Sequence, residues 1–207
     1  MIIIDCVQGS PEWFKARLFV PSASNFNKII TSTGKPSATA PKYADELLAQ
    51  YLANDPLNDG DATFWMERGN AEEPNARDQY IFLKDVEVEQ VGFILLDDRT
   101  AGCSPDGLIG ADGMIEIKSP KPTTLVGYYR NGFPNADYKV QVQTQLWIAE
   151  RTYCDFYAFH PLMKPFICRI ERDEPFIKEI QKAHKDFNAK LEAQKKLLEG
   201  WKIEKTL

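Results

Sequence analysis

The chain has 207 residues, 43% hydrophobic and 27% charged, with a formal net charge of −5; this is the make-up of a globular protein with one sizeable core, not a disordered or fibrous one. No apolar run approaches the roughly 20 residues that a membrane span needs, and Met1-Ile2-Ile3-Ile4-Asp5 is too short for a signal sequence, so a cytoplasmic protein without membrane attachment is expected. The negative charge argues against a protein that coats nucleic acid but leaves room for an enzyme with a local basic channel, because the field that matters is local.

Ile2–Val7 reads as a short strand. Ser10-Pro11-Glu12 is a strong helix start, since Ser10 can cap, Pro11 fits the first turn and Glu12 suits the positive end. That helix carries Trp13, Phe14 and Arg17 and stops before Pro21. Ser22–Asn25 opens a second helix running to about Ile30. Thr31–Pro41 is rich in Ser, Thr, Gly, Pro and Lys and reads as a mobile loop. Tyr43, Leu47, Leu48, Tyr51 and Leu52 have the spacing of a third helix. Thr63–Leu83 is helical in pattern but holds Pro74, so the helix either kinks there or begins near Glu73.

Strands are predicted at Val86–Leu96 and about Thr100–Cys103, followed by a hairpin over Gly102–Pro120. Helices follow at Thr123–Arg130 and Tyr138–Arg151, then strands at Tyr153–Phe159 and Phe166–Arg172. A last helix, Pro175–Leu198, has Phe176, Ile180, Phe187 and Leu191 on one stripe and a lysine face, read as solvated, on the other. The order predicts an α/β domain: a central mixed β-sheet flanked by helices, with N-terminal helices and a long C-terminal helix. It divides into an N-terminal helical part (1–62), a core (63–174) and a C-terminal helix and tail (175–207). Cys6, Cys103, Cys154 and Cys168 are widely spaced, which suits four reduced thiols better than cluster ligands.

The hairpin is where chemistry concentrates. Leu108-Ile109 and Met114–Ile117 are short apolar runs, and Gly110-Ala111-Asp112-Gly113 supplies residues that tolerate positive φ. Closing it brings Asp106 towards Glu116. Residues two apart on a strand share a face, so Glu116 and Lys118 project together while Ile117 enters the core. Grouped carboxylates repel unless a cation sits between them, and oxygen ligands favour Mg²⁺ or Mn²⁺. A bare Glu-x-Lys is more often the pattern of a surface ion pair, and Asp106, flanked by Pro105 and Gly107, is what favours the chemical reading.

The sequence also resembles the phage lambda exonuclease family (YqaJ-type viral recombinases and alkaline exonucleases), a branch of the PD-(D/E)xK nucleases with a restriction-endonuclease-like core. The resemblance rests on Glu12-Trp13 with Arg17-Leu18, Ser22-Ala23-Ser24, Gly69 with Glu73 and Ala76, Cys103–Gly107, Glu116-Ile117-Lys118 with Pro120, and Gln141-Val142-Gln143 with Trp147, in register. It implies that Asp106, Glu116 and the main-chain carbonyl of Ile117 bind Mg²⁺, with Mn²⁺ as a substitute. It implies that Lys118 positions the attacking water and Glu73 supports the site. Arg17, Ser24, Ser104 and Gln141 would form a pocket for a 5′-terminal phosphate, and Met66 would be a strand-separating wedge or, equally, a core residue. Gln141 and Gln143 cannot share a helix face, and Gln141, one turn before Gln145, is the one expected in the site. Lys28, Lys35 and Lys42 are candidate phosphate contacts.

The activity so implied is Mg²⁺-dependent 5′-to-3′ degradation of one strand of double-stranded DNA, leaving a 3′ overhang for recombination. A homotrimer, a single-strand annealing protein as partner, and a phage or prophage origin in a bacterial host complete the expectation. A structure- or sequence-specific endonuclease on the same core, and an inactive DNA-end-binding module, are the alternatives.

Overall fold

The computed structural model describes residues 1–57, 64–134 and 136–202, with side chains except at 64–67, 70 and 137. Strand β1 (Ile2–Ile4) pairs antiparallel with β2 (Phe93–Leu95), which pairs antiparallel with β3 (Gly102–Cys103). A second sheet has the order β4-β5-β6-β7, formed by β4 (Gly107–Ile109), β5 (Gly113–Lys118), β6 (Tyr153–His160) and β7 (Met163–Glu171). β5 and β6 run parallel and the other pairs antiparallel, so this sheet is mixed as expected. A parallel pair needs a long crossover, and here it contains helices α4 (Pro122–Asn131) and α5 (Asp137–Ile148), numbered after α1 (Pro11–Ala16), α2 (Ala40–Ala53) and α3 (Phe64–Lys84).

The long C-terminal helix α6 (Glu174–Leu198) starts on the Asp173 side chain, which accepts from Phe176 N, and buries Phe176, Ile177, Ile180, Phe187 and Leu191. The main core joins this face to Tyr43, Leu47 and Leu48 of α2, Leu146 of α5, Ile94 and Met114. On the opposite side of the mixed sheet, Ala76 and Tyr80 of α3 pack with Ile115, Ile117, Tyr157 and Phe159. The four cysteines are free thiols. No helix among the described residues is long and apolar enough to cross a membrane.

Several predicted elements change form. Residues Ala23–Lys28 make a 3₁₀ helix in place of an α-helix reaching Ile30. Asn25 N bonds to Ser22 O and Asn25 Nδ2 to Ser22 Oγ, the local competition by which Ser and Asn resist α-helix interiors. The 31–41 stretch is tied down by Thr31 N to Lys35 O at 2.8 Å and Ser37 N to Ile29 O at 2.9 Å. Helix α3 continues through Pro74, giving up one backbone bond, because Ala76 and Tyr80 beyond it anchor the helix on the sheet. Of the predicted strand Val86–Leu96 only Phe93–Leu95 enters a sheet; Glu89 instead exchanges backbone bonds with Leu108 at 2.8 and 2.9 Å.

His184, inside α6, lies 5.7 Å from the Phe26 ring and 5.5 Å from the Trp147 ring. Thr100 Oγ1 donates to Asp98 Oδ1 at 2.7 Å, so His184 Nε2 must be the donor in its 2.8 Å contact with Thr100 Oγ1. That leaves Nδ1 buried and unpartnered. Burial pushes the imidazole pKa down to about 4. Below the ordinary value near 6.5 the unfolded chain takes up a proton that the native one refuses. Stability should therefore fall between about pH 6.5 and 4, by a few kcal/mol at most. Urea midpoints across that range should show a shallower decline in His184→Phe than in the parent protein.

Candidate active site

The site begins with strand β5. It has a neighbour on each edge and cover on both faces, so alternate residues go to two cores: Met114 towards α5, Ile115 and Ile117 towards α3. Glu116 falls on the α5 side and is 2% exposed. A carboxylate so placed requires donors, and α5 supplies them from one stripe. Gln141 Nε2 donates to Oε1 and Gln145 Nε2 to Oε2, each at 2.7 Å. Lys118, two residues along the same face, places Nζ 2.5 Å from Oε1.

Gly110, with φ of +54°, turns the hairpin and returns β4 alongside β5. Asp106, just before β4, has its Oδ2 2.5 Å from Ile117 N, from which it accepts a bond, and its own N–H donates to Ile115 O at 3.2 Å. Burial and then the neighbouring Glu116 charge raise the Asp106 pKa well above the usual carboxylate range. Burial alone would lower that of Lys118, but Glu116 and Asp106 outweigh it and hold the ammonium above its ordinary value. The three groups thus form a compact, closely interacting centre of two carboxyl groups and one ammonium.

Among the described residues no group of three or more His, Cys, Asp or Glu side chains is arranged to hold a metal. The donors that line the cavity here are the Asp106 and Glu116 carboxylates, hard oxygen ligands suited to Mg²⁺ or Mn²⁺. Gln145 adds an acceptor: with its Nε2 committed to Glu116, its Oε1 is buried without a partner and lines the same cavity. An acceptor left over beside paired carboxylates fits a cation carrying water.

That cavity, about 170 Å³, is lined by Asp106, Glu116, Lys118, Gln141 and Gln145, and also by Trp13, Arg17, Ser24 and Ser104. The structure therefore brings the expected carboxylate centre and the expected anion pocket to one place. Arg17 lies with its guanidinium 4.0 Å from the Trp13 ring centroid and 5.4 Å from that of Phe93. The Phe93 ring occupies the space a side chain at Gly102 would fill, 2.2 Å from where its Cβ would be. Among the described residues the Arg17 guanidinium has no carboxylate and makes no hydrogen bond, and burial lowers its pKa. Ser24 Oγ shares a 3.3 Å bond with Ser22 Oγ, and Ser104 Oγ accepts from Trp13 Nε1 at 2.8 Å.

Other candidates lie elsewhere. Glu73 is ion-paired with Arg77, whose Nε donates to Asp106 O at 3.1 Å; it adjoins the site through Arg77 and does not line the cavity. Met66 is in α3, but its side chain lies outside those described. Gln143 points away, to Glu171 O and Asp173 N, both at 2.8 Å. Lys28 is engaged by Glu46 at 2.7 Å. Sequence reasoning gave no role to Gln145, Arg77 or Trp13. Helical spacing of four from Gln141 and from Glu73 was the signal available for the first two.

Residues 12–152 match the model of the YqaJ-like viral recombinase domain. Among solved structures the chain is similar to an alkaline exonuclease (LHK-Exo) from Laribacter hongkongensis, with 35% identity and a TM-score of 0.83 over 92% of this chain and 96% of that one. The complex of LHK-Exo with dAMP matches at the same identity and TM-score, over 91% and 96%. A phage related exonuclease from Haemophilus somnus 129PT shares the fold at 15% identity, with a TM-score of 0.63 over 84% of this chain and 96% of that one. No curated protein sequence matches the chain.

The crowding of carboxylates has a measurable consequence. Asp106→Asn keeps an oxygen to accept from Ile117 N and removes a carboxylate adjoining the buried Glu116. In EDTA-treated protein the urea midpoint should rise, by about 1 kcal/mol of stability, whereas Lys118→Met should lower it. A lower midpoint for Asp106→Asn would contradict the electrostatics described.

Proposed function

Since the chain belongs to the YqaJ-like viral recombinase family, we propose that it is a Mg²⁺-dependent exonuclease that degrades one strand of duplex DNA from 5′-phosphorylated ends. It releases 5′-mononucleotides and leaves a 3′ overhang for recombination. The similarity to an alkaline exonuclease, including its dAMP complex, supports the nuclease part of this reading. One observation carries the end preference: a guanidinium with unused N–H donors opens into the cavity that holds Asp106, Glu116 and Lys118. A phosphate is the ligand that a planar, unpaired guanidinium flanked by hydroxyls receives best.

In this mechanism Asp106, Glu116 and the carbonyl of Ile117 would hold Mg²⁺, with Mn²⁺ able to substitute. A divalent cation there neutralises phosphate charge, lowers the pKa of bound water and stabilises the departing oxygen. Gln141 and Gln145 keep the Glu116 carboxylate in place by donating to both of its oxygens. Lys118 orients the attacking water and offsets charge growing on the phosphate. Arg17, Ser24, Ser104 and the second N–H of Gln141 bind the terminal 5′-phosphate, so the bond placed at the carboxylates is the one next to the end. Glu73 acts from the margin, held by Arg77. The family resemblance extends the proposal to a homotrimer around DNA, a single-strand annealing protein as partner, and a phage or prophage gene expressed in a bacterial cytoplasm.

Digestion of end-labelled linear duplex with Mg²⁺ tests the reading, with 5′-phosphate and 5′-hydroxyl ends compared beside closed circles. Phosphorylated ends should be resected preferentially, and closed circles should survive. Cutting of circles would instead establish an endonuclease. Lys118→Ala should lower cleavage by roughly 10²-fold or more while retaining end binding in Ca²⁺; undiminished cleavage would refute its role. Arg17→Ala should erase most of the preference for phosphate while leaving the Mg²⁺ concentration dependence nearly unchanged.

A further inference from the structure

Helix α1 is six residues long and buries none of them, yet it is fastened with care. Ser10 caps it by accepting from Trp13 N at 3.2 Å, and Phe14 meets the Trp13 ring edge-on at a centroid distance of 4.9 Å. On the opposite side, Gln8 Nε2 donates to Val91 O and Pro105 O, both at 2.9 Å, pinning the segment that carries Ser104. Among the described residues, the one side-chain hydrogen bond between α1 and that segment is Trp13 Nε1 to Ser104 Oγ.

We propose that Trp13 is the positioning residue of the anion pocket, aiming two separate donors at the ligand through one ring. Its indole N–H occupies a lone pair of Ser104 Oγ. A serine hydroxyl has one proton of its own, and that proton has no acceptor among the described residues, so it is left to donate into the cavity. The ring face carries the Arg17 guanidinium. Stacking uses the face of that group and leaves its in-plane N–H donors free. A carboxylate partner would hold Arg17 equally well but would consume those donors and oppose an incoming anion. An indole does both jobs without adding negative charge. The proposal rests on the 5′-phosphate reading of the pocket, and the ligand class is a terminal phosphate monoester.

The test separates the two functions of the ring. Trp13→Phe keeps an aromatic face and loses the N–H; Trp13→Leu loses both. The readout is the ratio of kcat/KM on 5′-phosphate and 5′-hydroxyl duplex ends, which cancels any general loss of folded enzyme. Trp13→Phe should reduce the ratio about fivefold to tenfold, Trp13→Leu should reduce it further, and Ser104→Ala combined with Trp13→Phe should cost little beyond either alone. The loss should lie mainly in KM. Ratios within twofold of the parent in both Trp13 variants, with Arg17→Ala still losing its preference, would overturn the role of Trp13 and leave the pocket standing. Retention of the preference by Arg17→Ala would overturn the pocket and the proposal together.

Fluorescence provides a measurement that does not depend on Trp13→Leu folding. The emission difference between the parent and Trp13→Phe, recorded in Ca²⁺, should respond to a 5′-phosphorylated duplex and not to its 5′-hydroxyl counterpart. Equal responses to both would count against the proposal.

Discussion

Burying a carboxylate in an interior strand of a sheet is the constraint around which this molecule is arranged. An ionised Glu116 on β5 costs several kcal/mol in desolvation unless donors replace the lost water. Those donors come from α5, through Gln141 and Gln145, and from Lys118 on the same strand face. The helix is there for another reason as well. β5 and β6 are parallel, so the chain must cross over between them, and α5 is part of that crossover. A topological necessity and an electrostatic one are met by the same helix, and each amide answers a different carboxylate oxygen.

Across the cavity the same problem recurs with the sign reversed. Among the described residues Arg17 is a cation without a counterion, and it is stabilised by aromatic faces instead of by charge. Its support reaches into the fold: Phe93 can lie where it does only because residue 102 has no side chain. The two walls are not independent. Gln141 bonds to Glu116 and also borders Ser24 in the cavity, so the group that holds the carboxylate is placed to feel a ligand near the guanidinium.

The parts that local physics governs were legible in the sequence. The hairpin follows from apolar alternation and a glycine turn, the start of α1 from Ser10 and Pro11, and the choice of Gln141 over Gln143 from the 3.6-residue period. What was not legible depends on distant partners. The spacing of Gln141 and Gln145 shows that they share a helix face, but not that Glu116 lies beneath it. Pro74 offered two local outcomes, and the one that starts the helix near Glu73 is excluded: with Ala76 and Tyr80 packed on the far strands, the helix runs through the proline from Phe64. The division of the strands between two sheets is set by long-range pairings such as Ile3 with Ile94 and Glu116 with Phe156, which no local pattern announces. Trp13 was visible as part of a motif, but its contacts depend on where Ser104 and Arg17 end up.

The standing of α1 follows from these contacts. An isolated helix of six residues has too few backbone bonds to repay its nucleation, and this one buries no residue in the core. Its place is secured largely by the Ser10 cap, the Trp13–Ser104 bond and the stacked Arg17, two of which point into the cavity. On the proposed reading, an anion bound by Arg17 and Ser104 would join α1 to the β3–β4 connection from the ligand side. By linkage, whatever free energy it gains from a seated α1 it returns as stabilisation of that seat. The segment that would choose the end of a DNA strand is thus among the elements least supported by the core, and the contacts that seat it are those its proposed chemistry would use.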